Sequence, residues 1–279
     1  MSELLVTGAA GQVGTALMRL RPDARFIDLP DLDLTDPEAT TGFLDDLAPG
    51  AIINAAAYTA VDRAEEQEEL ATAVNGSAVG TLAAYADRAG IPFVTYSTDY
   101  VFAGTGSVPY LESSPTDPIN AYGRSKLVGE RAAAQYPGSL IIRTSWLVSG
   151  THPNFIATML RLAAERELRV VDDQWGCPTM AADLAAATLQ ALDTGAAGYL
   201  HLTNQGPTTW FRFARAAVTL AGIDPDQISP CSTEEYPTPA ARPAYSVMAS
   251  ERMSELGIEA LPAWEESLPA VVAQLQAGR

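Results

Sequence analysis

Lysine is almost absent from this chain. Among its 17 lysine and arginine side chains only Lys126 is a lysine, so arginine carries every other permanent positive charge. With 34 aspartates and glutamates, the net charge is −17 at pH 7. Nucleic acids are bound mainly by clusters of lysine and arginine on phosphates. We therefore expect no nucleic-acid partner.

Cysteine and histidine are also scarce, and long apolar runs are missing. Cys177 and Cys231 lie far apart and match no metal or redox spacing, and only His152 and His201 could join them as ligands. No apolar run approaches the ~18 residues of a membrane span, and the N-terminus enters a strand pattern without the charged segment of a signal peptide. We expect a cytoplasmic protein with no membrane partner. We assign no metal site, although a divalent-metal requirement stays open.

The order of the predicted elements indicates the fold class. Short apolar strands alternate with helical patterns of ten or more residues, which predicts an α/β fold with a doubly wound parallel sheet of the Rossmann type. We assign residues 1–171 to a dinucleotide-binding domain, completed by 199–221. Residues 172–198 and 222–279 are assigned to a smaller C-terminal substrate-binding lobe.

A glycine pattern follows the first strand. Gly8, Gly11 and Gly14 stand between that strand and the first helical run. Glycines there permit a tight turn and a close approach of pyrophosphate to the N–H groups of a helix N-terminus. Asp28 ends the second strand, where its carboxylate can accept a hydrogen bond from a ribose 2′-hydroxyl. The pattern predicts a dinucleotide site, and the lack of an arginine directly after this strand favours NADH.

The single lysine stands in a pattern typical of proton transfer. Tyr122 and Lys126 are four residues apart, so a helix places both on one face. There the ammonium is expected to lower the pKa of the phenol. Thr98, near the end of the fourth strand, can hold a substrate oxygen while Tyr122 protonates it. The competing interpretation is an accidental surface pair and an ordinary strand-terminal turn.

Several motifs carry a resemblance to a known family. The chain resembles the extended short-chain dehydrogenase/reductases in Gly8-x-x-Gly11-x-x-Gly14, Asn54-Ala55-Ala56-Ala57-Tyr58-Thr59, Ser97-Thr98-Asp99-Tyr100-Val101-Phe102 and Tyr122-x-x-x-Lys126. It is similar, more narrowly, to the dTDP-4-dehydrorhamnose reductase subfamily in Arg143-Thr144-Ser145-Trp146, Asn154-Phe155, Asp173-Gln174-Trp175-Gly176-Cys177-Pro178-Thr179 and Ala241-Arg242-Pro243. The resemblance spans nearly the whole length.

The resemblance implies roles for particular residues. It implies a catalytic triad of Thr98, Tyr122 and Lys126. Together with the glycine and Asp28 patterns, it gives a cofactor site of Gly8, Gly11, Gln12, Val13, Gly14, Asp28, Asp33, Leu34, Ala55, Ala56, Ala57, Tyr58, Tyr122 and Lys126. It implies a substrate site of Thr98, Asp99, Tyr100, Tyr122, Trp146 and Arg242. Two of these have simpler interpretations, since Trp146 also fits a plain core position and Arg242 a surface charge.

The implied activity is NAD(P)H-dependent reduction of the 4-keto group of a dTDP-4-keto-6-deoxyhexose, with dTDP-L-rhamnose as the expected product. Many members of the subfamily carry a basic residue after the second strand, where this chain has Leu29-Pro30-Asp31, so the choice between NADPH and NADH is not carried over. A homodimer is left open.

Three alternatives compete with this activity. One is a 4-ketoreductase for another nucleotide deoxysugar of secondary metabolism. Another is a dehydratase or epimerase, although a dehydratase would present Asp-Glu after the threonine and this chain has Asp99-Tyr100. The third is a non-catalytic nucleotide-binding regulatory subunit, which has no need for an intact triad.

Overall fold

A computed structural model describes residues 3–278, so residues 1, 2 and 279 at the outer ends of the predicted domains lie outside it. The strands of the described residues are β1 (Leu4–Thr7), β2 (Arg25–Ile27), β3 (Ala51–Asn54), β4 (Phe93–Thr98), β5 (Ser139–Thr144), β6 (Leu147–Val148), β7 (Leu168–Val171), β8 (Trp175–Gly176), β9 (Thr179–Met180), β10 (Gly198–His201), β11 (Thr208–Thr209) and β12 (Ile228–Cys231). The α-helices are α1 (Gln12–Leu20), α2 (Pro37–Leu47), α3 (Val61–Ala64), α4 (Glu68–Thr72), α5 (Ala78–Ala89), α6 (Ala121–Ala133), α7 (Phe155–Ala163), α8 (Ala181–Asp193), α9 (Trp210–Leu220) and α10 (Trp264–Ala277).

Six parallel strands form the central sheet, in the order β10-β5-β4-β3-β1-β2. The strand order reverses between β1 and β3, and open sheets of this kind bind ligands at such a switch point, beyond the carboxyl ends of the strands. The predicted α/β doubly wound class is confirmed. The chain therefore brings the residues after β1, β2 and β3 to one edge of the sheet.

Helices cover both faces of the sheet. Because side chains alternate along each strand, successive residues are buried on opposite faces. Leu4 and Val6 face one apolar cluster, which includes Leu17 of α1 and Leu184 of α8. Leu5 faces the opposite cluster. That cluster also contains the buried apolar residues of α2 and α5, namely Leu44, Val79, Leu82, Ala83, Tyr85 and Ala86.

A separate apolar core organises the second lobe. It joins α7, β7, α9, β12 and α10 through buried residues such as Leu160, Val170, Phe213 and Val272. β7 and β12 pair in parallel outside the central sheet.

Inside 155–221 the two apolar cores group the helices and strands differently from the predicted domain boundaries. Helix α7, strand β7 and helix α9 pack in the second core rather than on the sheet. Helix α8, which we predicted in the lobe, covers the sheet instead, with Leu184, Ala187 and Ala191 buried against it. The physical reason is that α8 lies on the connection that returns the chain to β10. Its apolar face must cover the sheet that this strand joins.

Candidate active site

The glycine turn after β1 is built for close approach. Gly8 has a φ of 74°, and a Cβ there would lie 2.4 Å from the backbone nitrogen of Ala56. A side chain at this position would therefore collide with the end of β3. Gly11 precedes helix α1 and has no side-chain cap, so the helix N-terminus keeps backbone N–H groups for an anion.

A cavity of about 520 Å³ opens at this turn. Ten of the predicted cofactor residues line it: Gly8, Gly11, Gln12, Val13, Asp28, Asp33, Leu34, Ala55, Ala56 and Ala57. The remaining predicted residues, Gly14, Tyr58, Tyr122 and Lys126, are not among its lining residues. Gly14 lies behind the turn, where a Cβ would come within 2.2 Å of the Gly8 carbonyl oxygen.

Sequence patterns missed part of this cavity. Its wall also contains Leu147, His152 and Pro153, which come from the segment after β5. The side chain of Gln12 holds this segment, because its Nε2 donates a 3.2 Å hydrogen bond to the carbonyl of Leu147. No motif in the sequence links positions so far apart.

The charges at the cavity wall are acidic. Asp28 Oδ2 accepts a 2.7 Å hydrogen bond from the Ala10 amide, and Asp33 accepts from the Thr35 hydroxyl at 2.7 Å. Hydrogen bonds from the hydroxyl and the amide of Thr35 lower the pKa of Asp33. The lining residues include no arginine or lysine in the described part of the chain, and His152 is their one basic side chain.

Helix α6 brings the catalytic candidates together. Asn120 begins the helix by accepting a 2.8 Å hydrogen bond from the Gly123 amide. Gly123 lets the helix touch the end of β4, since a Cβ there would lie 2.2 Å from the Tyr100 carbonyl oxygen. The rings of Tyr100 and Tyr122 then meet edge to face with centroids 5.9 Å apart.

Thr98 and Asp99 lie beside the phenol of Tyr122. The Thr98 hydroxyl donates a 2.9 Å hydrogen bond to Asp99 Oδ1, while Asp99 Oδ2 has no hydrogen-bond partner within residues 3–278. Burial raises the pKa of Asp99 to about 6, and the nearby hydroxyl groups of Ser246 and Thr98 oppose this rise.

Burial also controls the other two titratable groups. It raises the pKa of the Tyr122 phenol above its usual value, and the negative charge of Asp99 acts in the same direction, whereas the Thr98 hydroxyl opposes it. It lowers the pKa of Lys126 to about 8, against the attraction of Glu130. The expected lowering of the Tyr122 pKa by Lys126 is therefore not found. The cost of burying a phenolate is the largest effect, and the charge that acts on the phenol is that of Asp99.

A second cavity, of about 390 Å³, lies beside Tyr100. Tyr100 and Arg242, two of the predicted substrate residues, line it. Thr98, Asp99, Tyr122 and Trp146 are not among its lining residues. The lining residues that the sequence motifs did not single out include Asp62, Met159, Trp210 and Tyr236.

Trp146, one of the predicted substrate residues, packs against Trp210. Its side chain is buried in the second core and stacks on Trp210 with ring centroids 3.6 Å apart. A Cβ on Gly176 would lie 2.5 Å from Cε2 of the indole, so the ring fills that space. Trp146 therefore supports Trp210, which is the tryptophan that lines the second cavity.

Two features were searched for among the described residues: a cluster of metal ligands and a membrane-spanning helix. Within residues 3–278, no group of three or more histidine, cysteine, aspartate and glutamate side chains is placed to hold a metal ion. Among the helices of the same residues, none is long and apolar enough to cross a membrane.

The sheet with its glycine turn, and the helix carrying Tyr122 and Lys126, place the chain in the class of extended short-chain dehydrogenase/reductases. The family model of the RmlD substrate binding domain matches residues 1–277, and the chain belongs to this family.

Three relatives illustrate the match. The dTDP-4-dehydrorhamnose reductase of Burkholderia thailandensis is 45% identical, over 98% of this chain and 99% of the relative. The dTDP-4-keto-6-deoxy-D-glucose reductase of Streptomyces niveus is 40% identical, over 95% and 94%. The crystal structure of the Bacillus anthracis dTDP-4-dehydrorhamnose reductase in complex with NADP is 35% identical and covers 98% of this chain and 99% of that chain, with a TM-score of 0.92.

Proposed function

We propose that this protein reduces the 4-keto group of a dTDP-4-keto-6-deoxyhexose, with dTDP-4-dehydrorhamnose as the substrate and dTDP-L-rhamnose as the product. Three observations support it: the family match over nearly the whole chain, the presence of Thr98, Tyr122 and Lys126, of which Thr98 and Lys126 are buried and Tyr122 is partly buried, and a cavity at the glycine turn sized for a dinucleotide. The observation that carries the proposal is the position of Tyr122 beside Thr98, at the carboxyl end of β4.

The residues divide the chemistry as follows. A reduced nicotinamide held at the glycine turn would supply the hydride for the carbonyl carbon. Thr98 and Tyr122 orient the carbonyl oxygen, and the Tyr122 phenol gives it a proton, which leaves a phenolate and an alcohol. The raised pKa of Tyr122 keeps the phenol protonated at neutral pH, as an acid requires. Lys126, with its lowered pKa of about 8, would supply a positive charge to hold the ribose of the cofactor and to stabilise the phenolate.

The cofactor is a nicotinamide dinucleotide, and we propose that NADH serves at least as well as NADPH. The support is the wall of the cavity at the glycine turn, where Asp28 and Asp33 bring negative charge and no lining arginine or lysine is present in the described chain. A 2′-phosphate would meet this charge unpaired. The two-domain division belongs to the same proposal, with α7, β7 and α9 assigned to the second lobe and α8 to the sheet domain. The homodimer and the cytoplasmic location stay predictions.

A second candidate is a 4-ketoreductase that makes a different deoxysugar. The 40% identity to the reductase of Streptomyces niveus favours keeping it. The catalytic residues set the reaction, whereas the shape of the second cavity selects the hexose. Parallel assays with different dTDP-4-keto-6-deoxyhexoses separate the two candidates.

The test is nicotinamide oxidation with dTDP-4-dehydrorhamnose, using the wild-type protein and Tyr122→Phe. We expect the variant to lose about 100-fold or more in kcat, because a general acid contributes on that scale. The dissociation constant for NADH should stay close to that of the wild type, since the phenol acts on the ketone. Undiminished turnover in the variant would remove Tyr122 from the mechanism, and a wild-type protein that oxidises no cofactor with any 4-keto sugar would overturn the proposed function.

A further inference from the structure

Two residues of the nucleotide-binding domain hold the segment that carries Arg242. Asp62 Oδ1 accepts a 3.1 Å hydrogen bond from the Ala240 amide and pairs with Arg242 Nη1 at 3.0 Å. Asn120 Nδ2 donates a 2.8 Å hydrogen bond to the Ala241 carbonyl. Residues 240–242 of the lobe are thus fixed to the start of α3 and to the residue that begins the catalytic helix α6.

These contacts restrain one end of the Arg242 guanidinium. Nη1 donates to the carbonyl of Ala240 at 2.7 Å and pairs with Asp62. Nε and Nη2 make no hydrogen bond to any described residue, and the side chain keeps 16% of its surface exposed. Arg242 lines the second cavity with Asp62 and Tyr100, so its remaining N–H groups are available to a ligand there.

The charge of the pair matters for what the cavity can bind. Arg242 and Asp62 together are neutral, and the whole chain is strongly acidic. An anionic ligand therefore gains little from net charge at this wall. It gains from N–H donors that are already oriented, because an arginine held in place loses less conformational freedom when it binds a diphosphate.

We propose that Asp62 is a positioning residue for substrate binding: its carboxylate anchors Nη1 of Arg242, so that the other N–H groups of the guanidinium meet the diphosphate of the nucleotide sugar. The inference rests on the proposed function for the class of ligand. It assigns Asp62 a role opposite to the one its negative charge would suggest. A bare charge at this wall would repel a diphosphate, whereas an anchor promotes binding.

Two substitutions separate these roles. Asp62→Ala removes the anchor and the charge, and we expect it to weaken dTDP binding about tenfold, the scale of a charge-assisted hydrogen bond. Asp62→Asn removes the charge and keeps an acceptor oxygen for Nη1 and for the Ala240 amide. It should bind dTDP as tightly as the wild type or tighter. If Asp62 acted only through its charge, both variants would bind dTDP more tightly.

The measurement is calorimetric titration of each variant with dTDP, and separately with NADH as a test of the intact nucleotide-binding domain. The Asp62 side chain is 42% exposed on a four-residue helix, so both variants are expected to fold. NADH affinity should be unchanged in both. In steady state with the keto sugar, Asp62→Ala should raise KM and leave kcat within about twofold.

A double-mutant cycle shows whether Asp62 acts through Arg242. In an Arg242→Ala background, Asp62→Ala should cause no further loss of dTDP affinity. An equal loss in both backgrounds, or tighter dTDP binding by Asp62→Ala, would overturn the positioning role. A wild-type protein that does not bind dTDP at all would instead overturn the proposed function, and the inference with it.

Discussion

Burial shifts the pKa values of three ionisable groups in the proposed active site. The pKa of Asp99 stays below neutral pH, and those of Tyr122 and Lys126 lie above it. The Tyr122 phenol is shifted upward, Lys126 downward to about 8, and Asp99 upward to about 6. At pH 7 the phenol keeps its proton and the lysine is mostly charged. The arrangement suits an acid that gives up its proton only when substrate and cofactor change its surroundings.

Burial of Lys126 costs stability, and its proposed catalytic role gives a reason for keeping it. Its ammonium is disfavoured by burial, and the nearby Glu130 is already paired to Arg143 through two 2.8 Å hydrogen bonds. We therefore expect Lys126→Met to raise the thermal midpoint at pH 7 while turnover is lost. Lys126→Arg keeps the charge, so it should give no stabilisation, and it should also be inactive because a planar guanidinium does not replace a compact ammonium.

The pH dependence of this difference is a further check. A lysine whose folded-state pKa is lowered destabilises the folded protein while it is charged. The penalty is present below pH 8 and disappears as the pH rises from about 8 to the ordinary value near 10.5. The advantage of Lys126→Met in calorimetric unfolding should shrink over that range. A constant advantage, or an active Lys126→Arg, would contradict the role we give to the ammonium.

The position of helix α6 depends on two of its glycines, which let its backbone lie directly on the backbone of neighbouring segments. Gly123 meets the Tyr100 carbonyl, and a Cβ on Gly129 would lie 2.0 Å from the carbonyl oxygen of Asn75. The buried Glu130–Arg143 ion pair fixes the same helix to β5. These contacts, rather than helix propensity, set the position of Tyr122 over the end of β4.

Gly123→Ala tests this packing. The added methyl group would collide with the Tyr100 backbone, so we expect a loss of about 1–3 kcal/mol in unfolding free energy and a fall in kcat as Tyr122 moves from Thr98. Gly42→Ala in helix α2 is the matched control, because nothing lies within 4 Å of the new methyl group. It should be neutral or stabilising by up to about 1 kcal/mol. Equal effects at both positions would show that the close contact does not matter.

At the scale of the whole molecule, the net charge of −17 adds to the acidic wall of the cofactor cavity. NADPH carries one phosphate more than NADH, so its binding should suffer more from this field. We expect kcat/KM to be at least as high with NADH as with NADPH at low salt, and the ratio to fall as salt screens the field over a Debye length of about 10 Å at 0.1 M. Activity assays with both cofactors at several salt concentrations measure the ratio of kcat/KM with NADH to kcat/KM with NADPH. A strong preference for NADPH at every concentration would contradict the proposal.

Much of the nucleotide-binding half could be predicted, because its signals are local. A glycine turn between a strand and a helix, and a tyrosine four residues before a lysine on one helix, depend on neighbours in sequence. The packing of the second lobe was harder to predict from the sequence. Helix α7 and helix α8 are both apolar on one face, and nothing local says which core each face covers.

The sequence by itself determined the alternating α/β order and the glycine turn after the first strand, and it selected Thr98, Tyr122 and Lys126 as the catalytic candidates. Only the tertiary structure decided that Trp146 supports Trp210 instead of lining the second cavity, that burial raises the Tyr122 pKa, and that Asp62 holds Arg242. The reason is that packing, desolvation and ion pairing depend on which distant segments meet. The spacing of residues along one strand or helix does not contain that information.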